Sequence, residues 1–173
     1  TRILLVDFDV HHGNGTQDIF WADENMFYGS THQMPLYPGS GARSETGVGN
    51  IFNAPLRAGD GGVQFREAFN SVILPAIDSF APDLVVISAG FDAHVRDPLG
   101  SLELTEEDFA WATLRLMELA DTHANGRVVS VLEGGYDLQG LAGSVGVHLH
   151  ALMHGASQTA DLESQAEDED DET

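Results

Sequence analysis

Four short strand-like runs break the polar background of the chain and read as β-strands: Ile3–Phe8, Met26–Ser30, Leu84–Ser88 and Val128–Leu132. The first opens on the unbroken sequence Ile3-Leu4-Leu5-Val6, the pattern of a strand buried on both faces of a parallel sheet. Between the strands the period lengthens to that of helices. Over Gln64–Phe80, the positions Phe65, Ala68, Phe69, Val72, Ile73, Ala76, Ile77 and Phe80 form one apolar stripe. Thr105-Glu106-Glu107-Asp108 has the form of a capping box and predicts a helix to about Thr122, with Gly126 as its stop. A last helix is predicted from Leu138 to about Met153. The segment Gln33–Ala58, rich in Gly and Pro, reads as one long loop, and loops of that length are often functional. No internal repeat is apparent. Strands alternating with helices predict an α/β fold, three layers with a mainly parallel sheet between helices.

Composition narrows this picture. The chain has 173 residues, enough for one sizeable core, so a single domain is expected. Zero Cys excludes disulfides and thiolate metal sites, so a metal must rest on His and carboxylate. The seven basic residues are all Arg, against 28 acids, for a formal net charge of −21. Such a balance argues against nucleic acid or an anionic membrane as partner. No apolar run approaches the roughly 20 residues that span a bilayer. Nor does a signal peptide precede Arg2, and a cytoplasmic location is expected. Residues 156–173 read as an acidic, disordered tail after a domain over 1–155, with eight acids between Asp161 and Glu172. A chain that opens on its most buried strand, without an initiator Met, reads as part of a longer domain.

Chemistry gathers where strands end, the edge at which open parallel sheets bind ligands. After the first strand comes Asp7-Phe8-Asp9-Val10-His11-His12-Gly13-Asn14-Gly15. Extended alternation turns Asp7, Asp9 and His11 to one side. Carboxylates gathered there repel one another and lose hydration, and a cation is the simplest compensation. The strand Leu84–Ser88 leads to Asp92 and His94, which places Asp92 on the same rim. Asp9, His11 and Asp92 make an oxygen-rich set of three that leaves positions open, as catalytic zinc requires. His94 is assigned a supporting or packing role. Val128–Leu132 runs into Glu133-Gly134-Gly135-Tyr136, where the two glycines allow a tight turn. Tyr136 then projects from the rim, able to donate a hydrogen bond to a developing oxyanion. Trp21, Trp111, Met117 and Met153 fit packing positions, and His123, His148, His150 and His154 fit solvated or packed ones.

Four phrases, DFDVHHGNGTQ (7–17), STHQMPLYPGSG (30–41), SAGFDAHVRDPLG (88–100) and LEGGYDL (132–138), resemble the histone deacetylase superfamily. They are most similar to its class II-like bacterial members, with the acetylpolyamine amidohydrolases and acetoin-utilisation proteins. The resemblance spans about residues 2–155 and implies an arginase/deacetylase-like domain, here its C-terminal part. It implies zinc on Asp9, His11 and Asp92, and a structural potassium held by Asp7, Asp9, His11, Ser30 and the Thr31 carbonyl. Tyr37 would line the acyl-chain tunnel, with Gly134 and Gly135 also at the substrate, and Tyr136 would polarise the amide oxygen. Asn14 would be a polar partner of a general-base His. The family's tandem general-base His pair lies upstream of the zinc strand, before Thr1, and His11-His12 is not that pair. The implied substrate is an acetylated amine, acetyl-lysine or acetylpolyamine, with an oligomer possible. Alternatives are an arginase-like ureohydrolase with two manganese ions and a non-catalytic deacetylase-like binding domain. A haloacid-dehalogenase-type phosphotransferase is disfavoured by the absence of Lys.

Overall fold

The computed structural model describes residues 1–155, and the acidic tail expected over 156–173 lies outside the described residues. Five parallel strands form one sheet in the order β3-β2-β1-β4-β5, with β1 Ile3–Asp7, β2 Met26–Gln33, β3 Ile51–Leu56, β4 Leu84–Ala89 and β5 Val128–Leu132. The helices are α1 Asn14–Phe20, α2 Gly62–Ala68, α3 Leu74–Phe80, α4 Glu106–His123 and α5 Leu138–His154. A π-helical turn, Phe69–Ile73, joins α2 to α3. Pro75 explains it. A proline lacks the N–H for an ordinary helical bond and its ring clashes with the carbonyl four residues back. Widening the preceding turn, where the Leu74 N–H reaches the Phe69 carbonyl, relieves that clash without ending the helix.

One face of the sheet is fully covered. Leu4, Val6, Phe27, Val85 and Ile87 are buried there under Phe65, Phe69, Ile77, Phe109 and Leu116 of the helices that follow β3 and β4. Asp108 Oδ2 accepts the Thr105 N–H (3.0 Å) at the start of α4, the expected capping contact. Gly126, at φ 71°, donates to the Ala120 carbonyl and ends that helix.

Coverage of the opposite face is uneven. Around α1, Phe20, Tyr28 and Ile51 form a second, smaller cluster. Along the register row Tyr28–Leu5–Val86–Val129, exposure climbs from 0% at Tyr28 to 49% at Val129. Ile3 and Leu5 are therefore half-buried. This corrects the expectation that β1 is buried on both faces: one seven-residue helix covers only the β2 side.

Two elements depart from the sequence reading: one in the long loop Gln33–Ala58, the other overlapping Gly13-Asn14-Gly15, taken as a turn. β3 lies inside the long loop, where Pro55 is tolerated because β3 is an edge strand. α1 begins at Asn14 within the Gly-rich turn. Trp21 and Met153 are exposed, Met153 at 76%, which corrects their assignment to packing positions. His148, in contrast, is buried, with Nδ1 2.7 Å from Thr113 Oγ1 and Nε2 2.8 Å from Ser130 Oγ, joining α4, α5 and β5.

Candidate metal centre

β1 stops at Asp7, so strict alternation stops there too. Beyond it the chain curls through two side-chain turns: the Asp9 N–H donates to Asp7 Oδ1 (3.0 Å) and the His11 N–H to Asp9 Oδ1 (2.8 Å). This is why Asp7 does not join Asp9 and His11 as the extended pattern predicts. Asp7 Oδ2 instead accepts the Tyr28 hydroxyl (3.0 Å).

Asp9 and His11 meet Asp92, from the turn after β4. One ligand atom from each lies within 4.8 Å of the other two, the group of three acidic or imidazole side chains that the described residues bring together in this way. His11 Nδ1 stands 3.2 Å from Asp9 Oδ1 and 3.1 Å from Asp92 Oδ2. The remaining carboxylate oxygens are held by backbone. Val10 N–H donates to Asp92 Oδ1 (2.8 Å) and Gly134 N–H to Asp9 Oδ2 (3.0 Å). Gly134 is tightly constrained, since a Cβ there would sit 2.2 Å from Asp92 Oδ2. Gly90 is constrained in the same way, its notional Cβ 2.1 Å from Asp9 Oδ2. Both glycines therefore let backbone approach the carboxylates closely.

The electrostatics are those of a site short of positive charge. Burial, then the neighbouring Asp9 charge, raises the Asp92 carboxyl to about 7. Asp7 is pushed well above the usual carboxylate range, again by burial first and Asp9 second. A cavity of about 190 Å³ adjoins the group, lined by Asp7, Asp9, His11, Thr16, Ser88 and Glu133. Two carboxylates and an imidazole, converging with their outer atoms already bonded, fit a divalent cation with oxygen-rich preference.

The other expected residues lie outside the group of three. Tyr136 is 54% exposed on the turn after β5, its backbone N–H held by Asp97 Oδ2 (2.7 Å). Burial, then Asp92 and Asp9, raises its phenol above the ordinary value. Tyr37 is 79% exposed on the loop after β2. Gly135, at φ 137°, occupies a conformation that glycine readily adopts. Ser30 pairs in register with Asp7, but its hydroxyl lies 2.9 Å from His32 Nδ1. Thr31 is buried beside it. Asn14 is exposed at the start of α1. His94 makes its contacts away from the three: Nδ1 accepts the Arg96 N–H (3.1 Å) and Nε2 lies 3.4 Å from Glu106 Oε1.

Sequence reasoning missed Gly90 and Asp97. Gly90 directly follows an aliphatic strand and precedes Asp92, a position where close backbone approach leaves only glycine as a signal. Asp97 precedes Pro98, and Asp-Pro marks a turn without revealing that the carboxylate reaches across to Tyr136.

Comparison with known proteins follows the same lines. The family profile described as histone deacetylase domain matches residues 1–152. The chloroplastic histone deacetylase 10 of Oryza sativa subsp. japonica is 43% identical over 169 residues, covering 95% of this chain and 38% of that protein. A probable deacetylase of Archaeoglobus fulgidus is 40% identical over 163 residues, 92% of this chain and 45% of its own. Among solved structures, the HDA15 HD domain superposes with a TM-score of 0.83 at 38% identity, over 90% of this chain and 45% of that one. The structure of the histone deacetylase Clr3 gives the same score and identity over 89% and 27%. The chain thus spans less than half the length of these relatives.

Proposed function

This chain belongs to the histone deacetylase family, and from that premise we propose that it supplies the metal-binding part of a zinc-dependent amidohydrolase acting on acetylated amines. The observation that carries the reading is the convergence of Asp9, His11 and Asp92, with the backbone of the Tyr136 turn bonded to one of the three. Asp9, His11 and Asp92 would hold a zinc ion, which would supply Lewis acidity toward the acetamide carbonyl and toward water.

The protein's own groups do the rest. Asp9 and Asp92 are aimed by the Gly134 and Val10 amides, so their orientation is set before any ion binds. Tyr136 would donate its hydroxyl hydrogen to the carbonyl oxygen as negative charge develops there. Tyr37 packs along the acyl chain, with Gly134 and Gly135 leaving room beside it. Asp7, Ser30 and the Thr31 carbonyl would hold a structural potassium below. General-base work would fall to a histidine pair that this sequence does not contain, and Asn14 would be its polar partner. The products are acetate and a free amine, from acetyl-lysine or an acetylpolyamine.

Isothermal titration of the chain with zinc tests the first step, with one equivalent expected for the unmodified chain and none for Asp92→Ala. In a chain that includes the histidine pair, Tyr136→Phe is expected to lower kcat by about a hundredfold to a thousandfold, the loss typical of one oxyanion donor, with zinc content unchanged. Two manganese ions per chain would support the arginase-like alternative instead.

A further inference from the structure

The loop from Met34 to Asn50 carries Tyr37, and on its return limb one carboxylate, beside the His32 Nε2 contact to the Gly41 carbonyl (2.9 Å), gathers several bonds. Glu45 Oε2 accepts the Gly41 N–H (2.9 Å) and the Gln17 side-chain amide (2.7 Å), while Oε1 accepts the Ala42 N–H (3.2 Å). Gln17 is buried in α1 and uses its other end inward: Oε1 accepts Asn53 Nδ2 (2.7 Å) and lies 3.0 Å from His12 Nε2. That pattern fixes the neutral His12 ring with its hydrogen on Nε2, leaving Nδ1 to accept the Ser40 hydroxyl (2.8 Å). Ser40 belongs to the same loop and His12 follows His11 directly. The loop is thereby tied to the turn that carries the metal cluster directly through Ser40 and, by way of Gln17 on α1, through Glu45. Within the loop, Gly41 is pressed against this knot, its notional Cβ 2.3 Å from His32 Nε2.

We infer that Glu45 and Gln17 are positioning residues which hold the Tyr37 loop against the His11–His12 turn, and so set how tightly an acylated amine is bound. The assignment of Tyr37 to that chain rests on the function proposed above. Glu45 touches neither the metal ligands nor the rim, so its loss acts on loop position. Buried in part, its carboxylate has three donors and no competing bond, which is the arrangement of a clamp whose members act together.

Trypsin offers a test independent of catalysis. The chain has no Lys and seven Arg, and Arg43, exposed, lies within the loop. For Glu45→Ala and for Gln17→Leu, cleavage after Arg43 is expected to accelerate at least tenfold. Cleavage after Arg66 and Arg115, on helices, is expected to change less than twofold. Glu45→Gln keeps one acceptor oxygen and is expected to fall between. Acceleration at all sites alike means global loosening and overturns the inference, as does an unchanged rate after Arg43. Zinc affinity is expected to stay within threefold. In a chain that includes the histidine pair, assayed on an acetyl-lysine peptide, Glu45→Ala is expected to raise KM at least fivefold with kcat within twofold. A fall in kcat alone overturns the positioning role. Absence of turnover in both the parent and the variant counts against the function proposed above, and the trypsin result still decides the clamp.

Discussion

Asp92 has no solvent exposure, accepts a backbone N–H through Oδ1 and faces both Asp9 and His11 through Oδ2. Its folded-state pKa, raised to about 7 from 3.8, means that the ionised form is a liability until a cation arrives. Asp92→Asn keeps the Oδ1 acceptor for Val10 and removes the charge. The metal-free variant at pH 8 is therefore expected to melt several degrees above the parent, since 1 kcal/mol corresponds to about 2–4 °C at this size. Zinc is expected to raise the melting temperature of the parent and leave the variant unmoved, a contrast that a thermal-shift titration reads directly. A parent more stable than Asp92→Asn without metal would mean that the carboxylate pair is not strained. Gly134→Ala tests the same geometry from the backbone side. Its added carbon meets Asp92 and Asp9 oxygens at 2.2 and 2.7 Å, so zinc affinity is expected to fall at least about a hundredfold by titration calorimetry.

Elements depend on such residues at their joints. Asn50, just before β3, sends its side-chain amide nitrogen to the carbonyls of Phe20, Asp23 and Met26 at 2.8, 3.0 and 2.8 Å. Those carbonyls lie along the connection from α1 to β2, so one side chain binds three consecutive pieces together. Asn50→Ala removes all three bonds, the one to Phe20 buried and the other two part-buried, and is expected to cost about 1–2 kcal/mol in urea unfolding. A loss below about 0.5 kcal/mol would show that water replaces the amide. The same joint marks the limit of sequence reading. β1, β2, β4 and β5 announce themselves as short apolar runs, and the three long helical stretches by their period, because both signals lie among sequence neighbours. β3 does not, because its Pro55 and Gly-rich flanks mimic a loop and its strand character comes only from pairing with β2. α1 has too few apolar positions to show a period, and what fixes it is Gln17 and Phe20 against distant partners. Asp9, His11 and Asp92 were legible because each follows an aliphatic run at the same sheet edge. Asp7 lines the same cavity but stays outside the group of three, since side-chain turns after β1 override the alternation on which its orientation was read.

At the scale of the whole molecule, acid stability is set by two opposed groups of buried side chains. Burial lowers His32 and His148 to about 4 and lowers His12 as well, with the His12 charge adding to the effect at His32. Their unfolded counterparts titrate near 6.5, so below that pH the unfolded chain takes up protons that the folded chain refuses. The stability these imidazoles permit is complete above about pH 6.5 and is lost as pH falls toward 4. Asp7 and Asp92 act in the other direction. Their raised values mean that the folded chain holds protons which the unfolded chain releases, so acidification from about 7 favours folding without metal. A cation on Asp92 keeps it ionised and removes it from that balance. Urea unfolding between pH 8 and pH 5 is accordingly expected to show a shallow loss of stability in chelator. With saturating zinc the loss is expected to be steeper, by about 1.4 kcal/mol per pH unit for each carboxylate withdrawn from titration. Release of zinc at the acid end adds in the same sense. Parallel profiles with and without zinc would mean that the ion does not engage Asp92, whatever its stoichiometry. Replacing His148 by Gln, which retains a donor and an acceptor between Thr113 and Ser130, should flatten both profiles equally, because that ring belongs to the helix layer and not to the metal edge.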